Sequence, residues 1–278
     1  MSVFNTRNVL DIDPMSISDP YGHGQKAVIA MQATALTVRG DERAPQTNKV
    51  LIDLSNGLGV APTTTYEDLI FRNPLEREVY VMSREPQQAQ NEAAFYVAHR
   101  EIESHLTATI AALTTEAPEM SLQHMDDAVK RLVELYRHLS AEAFAGFRPF
   151  FTGLNGYPGP SGLFSAAIPT IDLLVHNGSN MNQEERKRML DDLESGLYPS
   201  HQSEALIDLL VNNREVPFNS IVINGVARYL NMFRRAHGAS VKKFVPQVLE
   251  SQAAGSGGVA DVAGYLASKM VNIEGGKV

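Results

Sequence analysis

From about Gln88 onward the chain runs through long stretches with few glycines or prolines. Their apolar residues recur three and four positions apart, and that spacing commits most of the chain to helix. Residues 91–113 put Ala94, Phe95, Ala98, Ile102, Leu106, Ile110 and Leu113 on one stripe. Residues 121–139 put Leu122, Met125, Val129, Leu132, Val133 and Tyr136 on another, with Ser121 as the expected N-cap. Helix is expected to continue over 140–151 until Gly153, and again over 163–176, 181–193, 202–211 and 218–241. A further piece, 244–252, follows a bend at Pro246, and a last helix covers 259–270. Pro169 should kink the 163–176 helix or open its first turns. The run GLNGYPGPSG, Gly153 to Gly162, is too rich in turn formers to be helix and reads as a loop.

Residues 1–90 read as irregular. Asp13 to Asp41 is punctuated by proline and glycine, while 49–54 and 79–82 fit either short strands or the buried starts of helices. The expected organisation is one domain of mainly α class, a helical bundle. An irregular N-terminal segment, residues 1–90, packs on a helical core, residues 91–278. A bundle of this kind suits a flat cofactor held between helices.

Composition removes several function classes. The 278 residues include no cysteine, which excludes disulfides, thiolate haem ligation, iron–sulfur clusters and cysteine nucleophiles. A net charge of −8 argues against general binding to nucleic acid or to anionic membranes. No stretch approaches the roughly 20 apolar residues that span a bilayer. The opening MSVFNTRNVLDIDP is too polar for a signal peptide. A soluble cytoplasmic protein is the expectation.

Three groups of residues carry possible chemistry. In the first, His237 lies mid-helix after Phe233, Arg234 and Arg235, and Gly255-Ser256-Gly257-Gly258 follows. Neutral imidazole can ligate haem iron, arginines such as Arg234 can pair with propionates, and a glycine-rich loop lets backbone amides approach a ligand. A lone helical histidine is, however, more often no ligand, and glycine clusters are common linkers. In the second, Phe95 and His99 share a helix face, followed by Glu103. They suit the wall of a substrate pocket with His99 as base or hydrogen-bond partner, or equally a core aromatic with a satisfied histidine at its edge. In the third, Arg148 stands among Phe144, Phe147, Phe150 and Phe151. Burying it is costly without an anion, which is either a substrate carboxylate or an internal Asp or Glu.

Together these groups resemble the tryptophan 2,3-dioxygenases. Phe233, Arg234 and His237 match that family's aromatic-Arg-x-x-His haem-ligand motif. Gly255 to Gly258 match its GTGG loop, with Ser256 in the threonine place, and Val262 to Leu266 match the helix beyond. Phe95, His99 and Glu103 match its distal Phe-x-x-x-His-x-x-x-Glu, and Phe147-Arg148 its carboxylate-gripping pair. Around Arg148 the likeness is closer to indoleamine 2,3-dioxygenase, through Thr152-Gly153, Gly156-Tyr157-Pro158, Ser165 and Asp172. The resemblance covers roughly residues 91–176 and 218–270. The short chain is similar to the bacterial biosynthetic branch of this haem-dependent aromatic oxygenase superfamily, which includes tryptophan monooxygenases and tyrosine hydroxylases.

The resemblance implies haem b between the His237 and His99 helices, with His237 as the axial iron ligand and Gly255, Arg234 and Ser161 as further cofactor contacts. It implies an aromatic amino acid held by Arg148, stacked by Phe95 and Phe144, closed over by Ser256 and Gly257, and hydrogen-bonded through its N–H or O–H to His99. The implied activity is insertion of oxygen from dioxygen or peroxide into the aromatic ring. The first choice of substrate is L-tryptophan or a derivative in secondary metabolism, and L-tyrosine hydroxylation is the alternative. A homo-oligomer is expected. A haem-binding sensor or carrier without turnover and a purely helical interaction domain are the other classes considered. His23, in a GHG turn, reads as a solvated residue, and Tyr157 and Ser161 as loop residues near the cofactor edge or substrate. The remaining histidines show no zinc spacing.

Overall fold

The computed structural model describes residues 3–114, 117–176, 183–212 and 220–244, together with residues 264, 266, 269 and 270. Within them the chain is mainly helical, as expected. The helices are α1 (His23–Val38), α2 (Ala44–Leu58), α3 (Tyr66–Ile70), α4 (Pro86–Leu113) and α5 (Met120–His138). There follow α6 (Ala141–Phe147), α7 (Ala167–His176), α8 (Gln183–Glu194), α9 (Ser200–Asn212) and α10 (Ser220–Phe244). Strands β1 (Thr6–Asn8) and β2 (Val79–Val81) pair in parallel, Arg7 opposite Tyr80. Parallel pairing requires a long crossover, and α1 to α3 supply it.

The N-terminal segment is therefore not irregular. α1 is buried on most of its surface, so it lacks the polar face that marks an amphipathic helix. α2 begins with Pro45 in its first turn, where the missing N–H costs nothing, and it contains residues 49–54. Residues 79–81 form β2. α3 opens with a capping box, in which Thr65 accepts from the Asp68 N–H and the Asp68 carboxylate accepts from the Thr65 N–H. The same Asp68 carboxylate takes Lys26 Nζ at 2.6 Å, and that ammonium also donates to the Thr63 carbonyl. Both charges are buried, so α1 and α3 are locked together at one point.

α4 is the central helix. It packs along α5, which in turn packs along α10, and α7 crosses it on another side. Of the expected stripe, Ala98, Ile102, Leu106 and Leu113 are buried while Ala94, Phe95 and Ile110 are half-buried, and Ala93, Tyr96, Thr109 and Ala112 are buried off that stripe. Two acidic residues of α4 are buried with them. Glu92 accepts from the Met82 and Ser83 N–H groups, both at 2.8 Å, and from Tyr96 OH at 2.7 Å, which fastens the end of β2 to α4. Glu103 is the other. Val9, Val28, Met31 and Tyr66 share one apolar cluster with Tyr96, Phe147 and Phe151, so residues before and after 90 build a common core. Fully burying a side chain the size of Phe147 is worth roughly 2–3 kcal/mol.

Several boundaries differ from expectation. Ser121 lies inside α5 rather than capping it; Glu119 is the N-cap and provides no side-chain bond. Ser140 caps α6, accepting from the Ala143 N–H at 3.0 Å, and α6 ends at Phe147 in a 3₁₀ turn over Arg148–Phe151. Another 3₁₀ turn, Gly162–Phe164, precedes α7, with Pro169 in that helix's first turn. The 153–162 segment is a loop that folds on itself. A Cβ at Gly153 would collide with the Tyr157 carbonyl, and one at Gly159 with the Phe151 carbonyl. The N-terminal part pins this loop: the Leu154 N–H donates to Thr63 Oγ1 at 3.1 Å and Asn155 Nδ2 to the Pro62 carbonyl at 2.7 Å. The expected pieces 244–252 and 259–270 lie almost wholly outside the described residues. Among the described residues no helix is long and apolar enough to cross a membrane.

Candidate functional site

A cavity of about 270 Å³ opens between α4, α5, α6, α7 and α10. Phe95, His99, Phe144, Arg148, Ser161, Arg234 and His237 all line it. Every described residue singled out as catalytic, substrate-binding or cofactor-binding thus faces one space. Gly255, Ser256 and Gly257 lie outside the described residues, as do Gly258, Val262 and Tyr265. His23 and Tyr157 are not among the cavity residues.

His99 and His237 reach the cavity from different helices, α4 and α10. The His99 Nδ1–H donates to the Phe95 carbonyl at 2.8 Å, one turn back on α4. A carbonyl only accepts, so Nδ1 carries the proton and Nε2 keeps its lone pair for a ligand. Burial pulls the His99 imidazole down to about 4, opposed by the Phe95 carbonyl and assisted by the positive charge His237 would carry. Burial alone pulls His237 down to about 4. Both rings are therefore neutral near pH 7. His237 is flanked by Tyr136, the two rings 6.3 Å apart and 21° from parallel, and no hydrogen bond reaches its ring among the described residues.

Phe95 sits in an aromatic nest. Its centroid lies 4.0 Å from the His99 ring, 5.9 Å from Phe144, 5.4 Å from Phe147 and 5.5 Å from Phe151. Phe144 also meets Phe244 at 5.2 Å. Such tilted ring pairs are favourable beyond their buried area. Phe95 and Phe144 are thus core residues and cavity walls at once.

Arg148 follows α6 at the same end. Its guanidinium lies 5.9 Å from the Phe151 ring, and among the described residues no acidic side chain pairs with it. Desolvation alone lowers its pKa. Of the two anions open to it from sequence, no internal carboxylate is found among the described residues.

Arg234 differs from expectation. It is buried on α10 and bonds the Asp172 carboxylate on α7, and its other terminus donates to the Lys269 carbonyl. Lys269 in turn pairs with Glu185 at 2.6 Å. Arg234, which also lines the cavity, thus ties α7, α10 and Lys269 together. Ser161 caps the Gly162–Phe164 turn by accepting from the Leu163 N–H at 3.2 Å, and its hydroxyl proton remains available.

Three cavity residues were given no role from sequence. Tyr66 comes from the N-terminal part, and the capping box Thr65-x-x-Asp68 was the legible sign of its helix. Tyr136 stood on the predicted apolar stripe of α5, and burial raises its hydroxyl well above the ordinary tyrosine value. Glu103, one turn beyond His99, accepts from Tyr66 OH at 2.9 Å and from Gln202 Nε2 at 3.3 Å. Burial pushes its carboxyl up, and no cation pairs with it among the described residues. The chain matches no family model and no curated protein sequence.

Proposed function

We propose that this protein is a haem-dependent oxygenase acting on the ring of an aromatic amino acid, L-tryptophan or a derivative being the first choice and L-tyrosine the alternative. One observation carries the reading: His237, His99 and Arg148, which has no acidic partner among the described residues, line a single cavity together with Phe95 and Phe144.

The donor set fits haem b. The His237 ring is neutral, faces the cavity and spends neither nitrogen on the described residues, which is what an axial ligand requires. Arg234 is committed to Asp172, so the propionate contacts pass to Ser161 and to Arg188, both of which line the cavity. Haem, when bound, supplies the redox-active iron at which dioxygen or peroxide is activated.

The chain's own residues bind and orient the substrate. Arg148 takes its carboxylate in a charge-assisted, bidentate bond, which also relieves the desolvated guanidinium. Phe95 and Phe144 give the ring an apolar seat and exclude water. His99 Nε2 accepts the indole N–H or phenol O–H, with the Phe95 carbonyl fixing its tautomer. A cytoplasmic homo-oligomer completes the reading.

The test is a titration of the haem-loaded ferric protein with L-tryptophan and L-tyrosine, followed at the Soret band beside His237→Ala. The expected result is a band that shifts with one amino acid and collapses in the variant. Failure of the wild-type protein to retain haem overturns the proposal. A Soret band indifferent to both amino acids turns the reading to a haem carrier.

A further inference from the structure

The cavity has two chemically opposite ends. Phe95, His99 and Glu103 are spaced four residues apart on one face of α4, so Glu103 lies about 12 Å along the helix from Phe95. Arg148 belongs to the Phe95 end, because it lies against Phe151, whose ring is 5.5 Å from Phe95. The far end is an acid cluster. There the Glu103 carboxyl is met by Tyr66 OH at 2.9 Å and Gln202 Nε2 at 3.3 Å. Glu103, Tyr66 and Ser165 all line the cavity and are each 5% exposed or less. Ser165 Oγ lies beside this carboxyl, yet no bond of good geometry satisfies it. A carboxyl offers more acceptor sites than these two bonds occupy, so Glu103 keeps capacity for another donor. A buried acid with no cation beside it among the described residues is costly to keep for structure alone, and at a cavity wall it marks a functional position.

We propose that Glu103, held by Tyr66 and Gln202 and flanked by Ser165, is a specificity-determining residue that selects an aromatic amino acid bearing, beyond the N–H or O–H that His99 takes, a second hydrogen-bond donor, a hydroxyl or an amine, at the edge of its ring remote from the carboxylate. The inference rests on Arg148 as the carboxylate anchor. With the carboxylate there, the α-ammonium of the same amino acid stays beside it and cannot reach Glu103, so the acid cluster meets the distal edge of the ring. A site built around a buried hydrogen-bonding group rejects the analogue that lacks the partner, because its own polar atoms are then left unpaired.

The experiment is calorimetric titration of the purified full-length protein with two matched pairs, L-tyrosine against 3-hydroxy-L-tyrosine and L-tryptophan against 5-hydroxy-L-tryptophan. In at least one pair the member with the added hydroxyl should bind at least about tenfold more tightly. Glu103→Gln keeps the shape of the side chain and removes its charge; in it the preference should shrink to about threefold or less. Tyr66→Phe probes the same cluster by losing a single oxygen, and should reduce the preference even if Glu103→Gln folds poorly. Arg148→Ala should weaken all four ligands alike. Equal binding within both pairs, or a preference that survives both cluster variants, overturns the Glu103 assignment while leaving Arg148 intact. No binding by any of the four overturns both.

Discussion

At the scale of single residues the clearest feature is Arg148, a partly buried cation with no acidic partner among the described residues. Burial lowers the guanidinium's pKa, and the Phe151 ring lies 5.9 Å from it. Arg148→Met keeps the apolar stem and deletes the charge. It should leave thermal stability unchanged or raise it by about 1 kcal/mol, since removing an unpaired buried charge relieves a penalty. The same variant should weaken aromatic amino-acid binding by about 10- to 100-fold, the usual range for a lost hydrogen bond to a charged group. Melting curves and calorimetry on one preparation decide the matter. A variant that is less stable and binds unchanged would place Arg148 among structural residues. This site was legible because its residue types are improbable in a core: an arginine among phenylalanines, a histidine within an apolar helix. Arg234 had the same look, but its partner Asp172 is far away in sequence, and only folding brings the two together. Tyr136 could not be distinguished from the other apolar-face residues of α5, because a tyrosine against a core and one against a cavity have the same spacing.

At the scale of elements, α5 and α10 were readable because long runs with one polar side carry a strong 3.6-residue period, while α4 was readable from its unbroken length rather than from a clean polar side. α1 was not, because it is buried nearly all round and offers no alternation. α3 spans only Tyr66–Ile70 and depends on its capping box and on Lys26 rather than on its own propensity. Lys26 should therefore matter more than its place in an unremarkable stretch suggests. Lys26→Met leaves Asp68 buried without its cation and should cost about 3–5 kcal/mol. Combining it with Asp68→Leu should recover part of that loss, though not the capping-box bonds. Chemical denaturation of the single and double variants measures both. A single variant within about 1 kcal/mol of wild type would mean that α1 and α3 do not depend on this pair. Because α3 carries Tyr66, Leu69 and Ile70 to the cavity wall, the weaker protein should also lose ligand affinity.

At the scale of the whole molecule, buried ionisable groups of opposite sign shape how stability follows pH. His99 in the folded protein is held down to about 4, below its ordinary value of 6.5. Between those values the unfolded chain binds a proton that the folded one refuses, so this histidine's contribution is complete above 6.5 and is lost as pH falls toward 4. Glu92 behaves in the opposite sense. Burial raises its carboxyl above the ordinary 4.5 despite bonds from Met82, Ser83 and Tyr96. Its contribution is complete below 4.5 and is lost as pH climbs through the raised folded value, where the unfolded chain releases a proton that the folded one keeps. The wild-type curve mixes the two, and differences separate them. Unfolding free energies taken by urea titration at half-unit steps from pH 4 to pH 7.5 should show the gap between wild type and His99→Gln widening in favour of wild type as pH rises to 6.5. The gap between wild type and Glu92→Gln should narrow over the same rise. Parallel curves for wild type and His99→Gln would mean that His99 titrates as a solvated residue, so that about a quarter of it would be protonated at pH 7 and unable to accept at Nε2.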